Sequence, residues 1–109
     1  MTKFSIIVPS YNDPTDVEKT LQSIKDQEYK DYEVICVDDS NDDRTWISIE
    51  KYINLKGFRC VSQIKRKGLN QAYNLGIELS RGNIILFLTS DNILPKSFLV
   101  KSGQSLLTK

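Results

Sequence analysis

Four short stretches of this 109-residue chain gather most of the side chains that could do chemistry. They are Ser10-Tyr11-Asn12-Asp13, Asp38-Asp39-Ser40-Asn41-Asp42-Asp43, the basic run Lys65-Arg66-Lys67-Gly68, and Thr89-Ser90-Asp91-Asn92. There is no histidine, which excludes His-based zinc sites, Ser-His-Asp triads and Cys-His dyads. What remains is carboxylate, lysine, tyrosine and oxygen-held metal chemistry. Aspartate binds a hard divalent cation, and that cation and lysine both bind phosphate. Tyr11 can stack on a base, and Asp39 can accept from a base N–H. Together these groups suit a nucleotide diphosphate with Mg2+ or Mn2+. Each stretch alone also has a plainer use. The first and last read as turns, the acidic run as turn and helix-cap chemistry with Asp42 or Asp43 capping, and the basic run as solvated surface. The chain has neither a GxGxxG nor a Walker A motif, which disfavours a dinucleotide fingerprint or a P-loop.

The elements that must position these groups alternate. Residues 4–9 (FSIIVP), 32–37 (YEVICV), 58–64 and 84–88 are short apolar runs rich in β-branched residues and read as strands. Between them lie helical patterns. The first starts at Thr15 or Asp16, with Glu18 placed for a capping box, and carries Val17, Leu21 and Ile24 as far as about residue 27. The second spans 45–53, with Trp46, Ile49 and Ile53 on one face. The third spans 69–79, with Leu69, Ala72, Tyr73, Gly76 and Leu79 inward. A last helix begins near Pro95 and runs to about residue 107, with Phe98, Leu99 and Leu106 apolar. Strand–helix alternation with strands apolar on both faces predicts an α/β fold: a Rossmann-like three-layer α/β/α sandwich on a mainly parallel sheet with right-handed crossovers. In such sheets ligands bind beyond the carboxyl ends of the strands. Three of the four strands end in the polar clusters, and the other runs into the basic loop.

The length fits one domain, residues 1–109. Hydrophobic residues make up 39% and charged residues 27%, and the net charge is +1. That balance gives no bulk electrostatic case for nucleic acid. The longest apolar run is five residues, 84–88, far short of the roughly 20 needed to span a bilayer. The N-terminus lacks a signal-peptide core. The expected location is cytoplasmic, with the inner face of the membrane as a variant. Cys36 and Cys60, without CxxC spacing, read as packing residues; the alternative, a disulfide between neighbouring strands, suits an oxidising compartment.

The phrases SIIVPSYN, YEVICVDDSNDD and GLNQAYNLGIELSRGNIILFLTSDN occur in order. With them the chain resembles, from about residue 4 to 98, the N-terminal half of the family 2 inverting glycosyltransferases of GT-A fold. That resemblance implies a donor site for a nucleotide-diphosphate sugar, with a UDP-sugar expected, and a glycan or lipid acceptor. Pro9 and Tyr11 match the turn that holds the base, beside Asn12. Asp39, preceded by Asp38, matches the acid that reads the base edge. Lys67, with Arg66 as rival, takes the basic role near the diphosphate. Gly68, Ala72, Asn74 and Gly76 match the phrase GxxxARNxG, with Tyr73 where arginine is common. Thr89-Ser90-Asp91 falls on the DxD motif. Asp91 stands at its metal-binding aspartate, Thr89 replaces the first aspartate, and Ser90 joins the nucleotide-binding set.

The resemblance also implies a further half carrying the acceptor site and the catalytic base, which these 109 residues do not include. Hence no base is assigned, and self-association through an exposed sheet edge is expected. The alternatives are a nucleotide-binding module without transferase activity of its own, and a flavodoxin-like signalling domain with Asp39 or Asp91 as phosphoacceptor.

Overall fold

A computed structural model describes residues 3–63 and 68–107. The element order is β1 (Phe4–Ser10), α1 (Pro14–Lys25), β2 (Tyr32–Asp38), α2 (Arg44–Glu50), β3 (Phe58–Ser62), α3 (Leu69–Leu79), β4 (Ile84–Phe87) and α4 (Phe98–Leu107). The four strands form one sheet in the order β3-β2-β1-β4, and every pairing is parallel.

Strand alternation sorts the core into two layers. On one face Phe4, Ile6 and Val8 of β1 and Val34 and Cys36 of β2 pack with Val17, Leu21 and Ile24 of α1, Ile49 of α2 and Leu99 of α4. On the other face Ile35 and Val37 pack against Ala72, Leu75 and Leu79 of α3. The topology explains the division. The chain moves outward from β1 through β2 to β3, then returns across the sheet to β4. Crossovers of one hand on a sheet whose direction of travel reverses must place the returning helix on the opposite face. Gly76 lets α3 lie close on β1, since a Cβ there would stand 2.4 Å from Cγ2 of Ile7. The three-layer α/β/α arrangement expected from the alternation is therefore present.

Local boundaries differ from the sequence reading in instructive ways. The first helix starts at Pro14, whose missing N–H costs nothing there, with Asp13 as N-cap. The Thr15–Glu18 capping box does not form at this start, and Glu18 instead pairs with Lys51 at 2.9 Å. Asp43 occupies the N-cap position of α2, but its side chain makes no capping bond; Asp42 Oδ1 accepts the Arg44 N–H at 3.1 Å. On α2 and the turn after it the buried apolar residues are Ile49 and Tyr52, whereas Ile53 is exposed. Leu69 is exposed as well. Pro95 precedes α4 in a turn, its carbonyl accepting the Phe98 N–H. Ile64 and the Leu106 side chain lie outside the described residues.

The β4 edge is half covered. Ile84 and Leu86 pack on the α1 side, while Ile85 and Phe87 on the other side are exposed, Phe87 by 52%. The α3 helix lies mainly over β2 and β1, and its Tyr73 ring meets Phe87 edge-on at 4.7 Å. Among the described residues no helix is long and apolar enough to cross a membrane.

Candidate functional site

The sheet order places β1 beside β4, and the chain leaves the carboxyl end of β1 for α1 on one face but that of β3 for α3 on the other. Chain ends that diverge in this way open a crevice at the carboxyl edge of the sheet. A cavity of about 370 Å³ lies there, lined by Pro9, Ser10, Tyr11, Asp13 and Asp16 from β1 and the start of α1, by Asp39 after β2, by Leu69 and Ala72 of α3, and by Thr89, Ser90 and Asp91 after β4.

The Tyr11 wall is held by a latch between the loops after β1 and β2. Asn12 adopts φ +48°, a left-handed conformation that asparagine tolerates better than most residues. Its N–H donates to Ser40 Oγ at 2.8 Å, and its Oδ1 accepts the Asn41 N–H at 3.1 Å. Asn41 Nδ2 donates to the Tyr11 hydroxyl at 3.1 Å. Tyr11 as a whole remains 42% exposed.

Asp38 and Asp39 differ in function because they sit on opposite sides of a strand end. Asp38 is buried, and its Oδ1 accepts from Ser10 Oγ at 3.0 Å, Ser40 N at 3.2 Å and Ser40 Oγ at 2.5 Å. It ties β1 to β2 behind the cavity. Asp39 reaches the cavity wall, where its carboxylate accepts from Gln63 Nε2 and from the Gly68 N–H, both at 2.9 Å. Gly68 has φ +91°, a backbone conformation that favours glycine, and in it the amide at the head of α3 points at Asp39.

The loop after β4 forms a closed turn: Asn92 N donates to Thr89 O at 3.1 Å. Thr89 Oγ1 donates to Asp91 Oδ1 at 2.8 Å and accepts from Asn92 Nδ2. Across the crevice, Ser90 Oγ donates to Asp13 Oδ2, and the Tyr11 N–H donates to Asp13 Oδ1 at 3.1 Å. Burial pushes the Asp13 carboxyl up to about 6. Asp13 thus joins the turn after β1 to the turn after β4. Local sequence marks Asp13 as a turn residue in a polar cluster; its partner Ser90, 77 residues away, is visible only in the fold.

Of the expected nucleotide-binding residues, Pro9, Tyr11, Asp39 and Ser90 line the cavity, as does Asp91. Asn12, Asp38 and Gly68 support its walls. Asn74 lies elsewhere, in a depression with Gln63, Gln71 and Glu78. Lys67 and Arg66 fall outside the described residues. The thiols take no part: Cys36 and Cys60 are free and face each other across the β2–β3 register. Burial pushes both up, Cys60 to about 11, which leaves little thiolate at neutral pH. Cys36 is fully buried and Cys60 half-buried.

The sequence model for glycosyl transferase family 2 matches residues 5–102. This chain belongs to that family. It is 36% identical over 93 residues to the amylovoran biosynthesis glycosyltransferase AmsB of Erwinia amylovora, covering 82% of this chain and 31% of AmsB. Identity to TarS of Staphylococcus aureus, a poly(ribitol-phosphate) beta-N-acetylglucosaminyltransferase, is 34% over 103 residues, covering 91% of this chain and 18% of TarS. The structure of TarS 1-349 in complex with UDP-GlcNAc superposes with a TM-score of 0.87 at 29% identity, covering 97% of this chain and 31% of that one. The mannosyltransferase PcManGT of Pyrobaculum calidifontis, solved with GDP-Man and Mn2+, shares the fold with a TM-score of 0.87 at 24% identity, covering 96% of this chain and 32% of that one. The chain therefore spans about a third or less of these relatives. The flavodoxin-like signalling alternative gives way to the family match.

Proposed function

We propose that residues 1–109 are the donor-binding part of an inverting glycosyltransferase that takes its sugar from a nucleotide-diphosphate sugar, a UDP-sugar, for transfer to a glycan or lipid acceptor. The observation that carries this is the crevice between the ends of β1 and β4, where Tyr11, Asp39 and Asp91 converge on one cavity. The likeness to TarS, which was solved with UDP-GlcNAc, supports the choice of nucleotide.

In this reading the exposed Tyr11 ring stacks on the base, and Asp39, oriented by Gln63 and Gly68, accepts a base N–H. Pro9 and the Asn12 latch fix the turn. Lys67, Arg66 being the rival, places a cation near the diphosphate. Among the described residues no three His, Cys, Asp or Glu side chains come together as a metal cluster. The donors beside the cavity, Asp91 with the Thr89 and Ser90 hydroxyls, are all oxygen and fit Mg2+ or Mn2+. Being so few, they would hold the ion jointly with the diphosphate. When bound, that ion supplies positive charge to the leaving diphosphate. Asp91 is kept in place by Thr89, so the cation side is ordered before the donor arrives.

A second reading is a nucleotide-binding module without transferase activity of its own. It is favoured by Thr89 and Ser90, which leave the DxD-like turn a single acid.

Calorimetric titration of UDP with and without Mn2+, on the wild-type chain and on Asp91→Ala and Asp39→Ala, tests the donor site. Binding strengthened by Mn2+ only when Asp91 is present, and weakened throughout by loss of Asp39, is expected. Absence of UDP binding under every condition contradicts a donor site in this chain. Transfer with a supplied acceptor separates the two readings.

A further inference from the structure

The α1 helix carries buried polar side chains on the face that meets the loop after β4. Thr20 is fully buried and Ser23 nearly so; Gln27, just beyond the helix end, is fully buried too. Each is spent on the backbone of residues 90–99. Thr20 Oγ1 lies 2.7 Å from the Ser90 carbonyl and 2.6 Å from the Asn92 carbonyl. A hydroxyl has one proton, so the two carbonyls flanking Asp91 share it. Ser23 Oγ accepts the Leu94 N–H at 3.0 Å and donates to the Thr20 carbonyl at 2.7 Å. Gln27 Nε2 donates to the Pro95 carbonyl at 2.6 Å, and its Oε1 accepts the Leu99 N–H at 3.1 Å. A segment with few regular backbone bonds of its own is thereby satisfied from one helix.

The same helix starts at the Tyr11–Asp13 turn. Its first internal bond is Val17 N to Asp13 O at 3.0 Å. One rigid element thus connects the base-side turn to the turn that carries Asp91, and the spacing between the two is set by α1.

We infer that Thr20 is a positioning residue for Asp91. Its hydroxyl pins the Ser90–Asp91 and Asn92–Ile93 peptides, one on each side of the Asp91–Asn92 unit, with Ser23 and Gln27 extending the clamp, so that the carboxylate meets a cation held by the diphosphate. This inference rests on the proposed donor site. It makes no contact between Thr20 and the ligand, so the role differs from that of the cavity-lining residues.

Thr20→Val keeps the shape and removes the hydroxyl; Thr20→Ser keeps the hydroxyl. Calorimetry with UDP, with and without Mn2+, reads the metal-dependent gain in affinity for each. Loss of groups that orient metal ligands costs about 10–100-fold in metal affinity. Thr20→Val should therefore lose about tenfold or more of the Mn2+ gain, with metal-free UDP affinity unchanged, and Thr20→Ser should restore the gain. An undiminished gain in Thr20→Val overturns the inference, as does an equal fall with and without Mn2+. Should the wild-type chain show no Mn2+ gain, the donor reading fails separately. Amide hydrogen exchange then decides the clamp: Asn92 and Leu94 should exchange faster in Thr20→Val while the β1 amides do not change, and unchanged exchange at Asn92 and Leu94 overturns it. Should Thr20→Val not fold, Ser23→Ala, which frees the Leu94 N–H, is measured in the same way.

Discussion

Asp13 makes the crevice sensitive to pH in a direction opposite to that of most carboxylates. Burial lifts its carboxyl from 3.8 to about 6. Between those values the folded chain holds a proton that the unfolded chain has released. Stability therefore falls as pH rises through the window from about 4 to 6, and the cost stays constant above it. The shift is about 2 pH units, and at 1.36 kcal/mol per unit the upper bound is about 3 kcal/mol. Asp13 is only half-buried, so solvent screening reduces this, and about 1 kcal/mol is the working figure. Asp13→Asn keeps an acceptor for the Tyr11 N–H and can pair its amide with Ser90 Oγ. It should be more stable than wild type by about 1 kcal/mol at pH 7 and no more stable near pH 3.5. Urea unfolding of both proteins at half-unit steps from pH 3.5 to 7.5 gives the difference directly, and carbon-detected NMR titration of the Asp13 carboxyl gives its midpoint. A midpoint near 4, or a stability difference that does not grow between pH 4 and 6, refutes the reasoning.

Two other outcomes follow from packing. Gly76→Ala gains about 1 kcal/mol of helix propensity but drives a methyl into Ile7, at a cost of about 1–3 kcal/mol. A net loss of stability is expected, and Ile7→Ala, which removes the Cγ2 that the methyl would meet, should turn the Gly76→Ala effect favourable in a double-mutant cycle read by urea unfolding. The exposed β4 edge with Ile85 and Phe87 should drive concentration-dependent self-association in analytical ultracentrifugation. Phe87→Lys should shift the chain toward monomer; a wild-type chain that stays monomeric at all concentrations contradicts the expectation.

The fold was legible because each strand is a short run rich in apolar residues and each helix has an apolar stripe, so the order βαβαβαβα could be read locally. The placement of polar clusters at the strand ends followed from that order. Side-chain phase within helices was less legible. Ala72 and Gly76, four residues apart, share the face toward the sheet, while Asn74, about 200° around the helix from Ala72, points away from the cavity. Thr20 and Ser23 on the first helix, and Gln27 just beyond it, are polar and carry no local signal of burial beside Val17, Leu21 and Ile24. They are buried because residues 90–99 bring backbone groups in need of partners, and that segment lies some 70 positions away. The same separation hid the Asp13–Ser90 pair. Tyr52 replaced Ile53 as the inward residue because α2 ends at Glu50 and the following turn changes the phase.

The central claim is that a nucleotide diphosphate sits between the ends of β1 and β4. Titrating UDP and diamagnetic Mg2+ into the isotope-labelled chain and mapping amide shifts by NMR tests it most directly. The account predicts shifts concentrated at Ser10–Asp13, Asp39, Gly68 and Thr89–Asn92, with Tyr11 the largest. Shifts centred instead on the opposite edge of the sheet, around Lys3, Arg59 and Arg81, or no shifts at all, would contradict it.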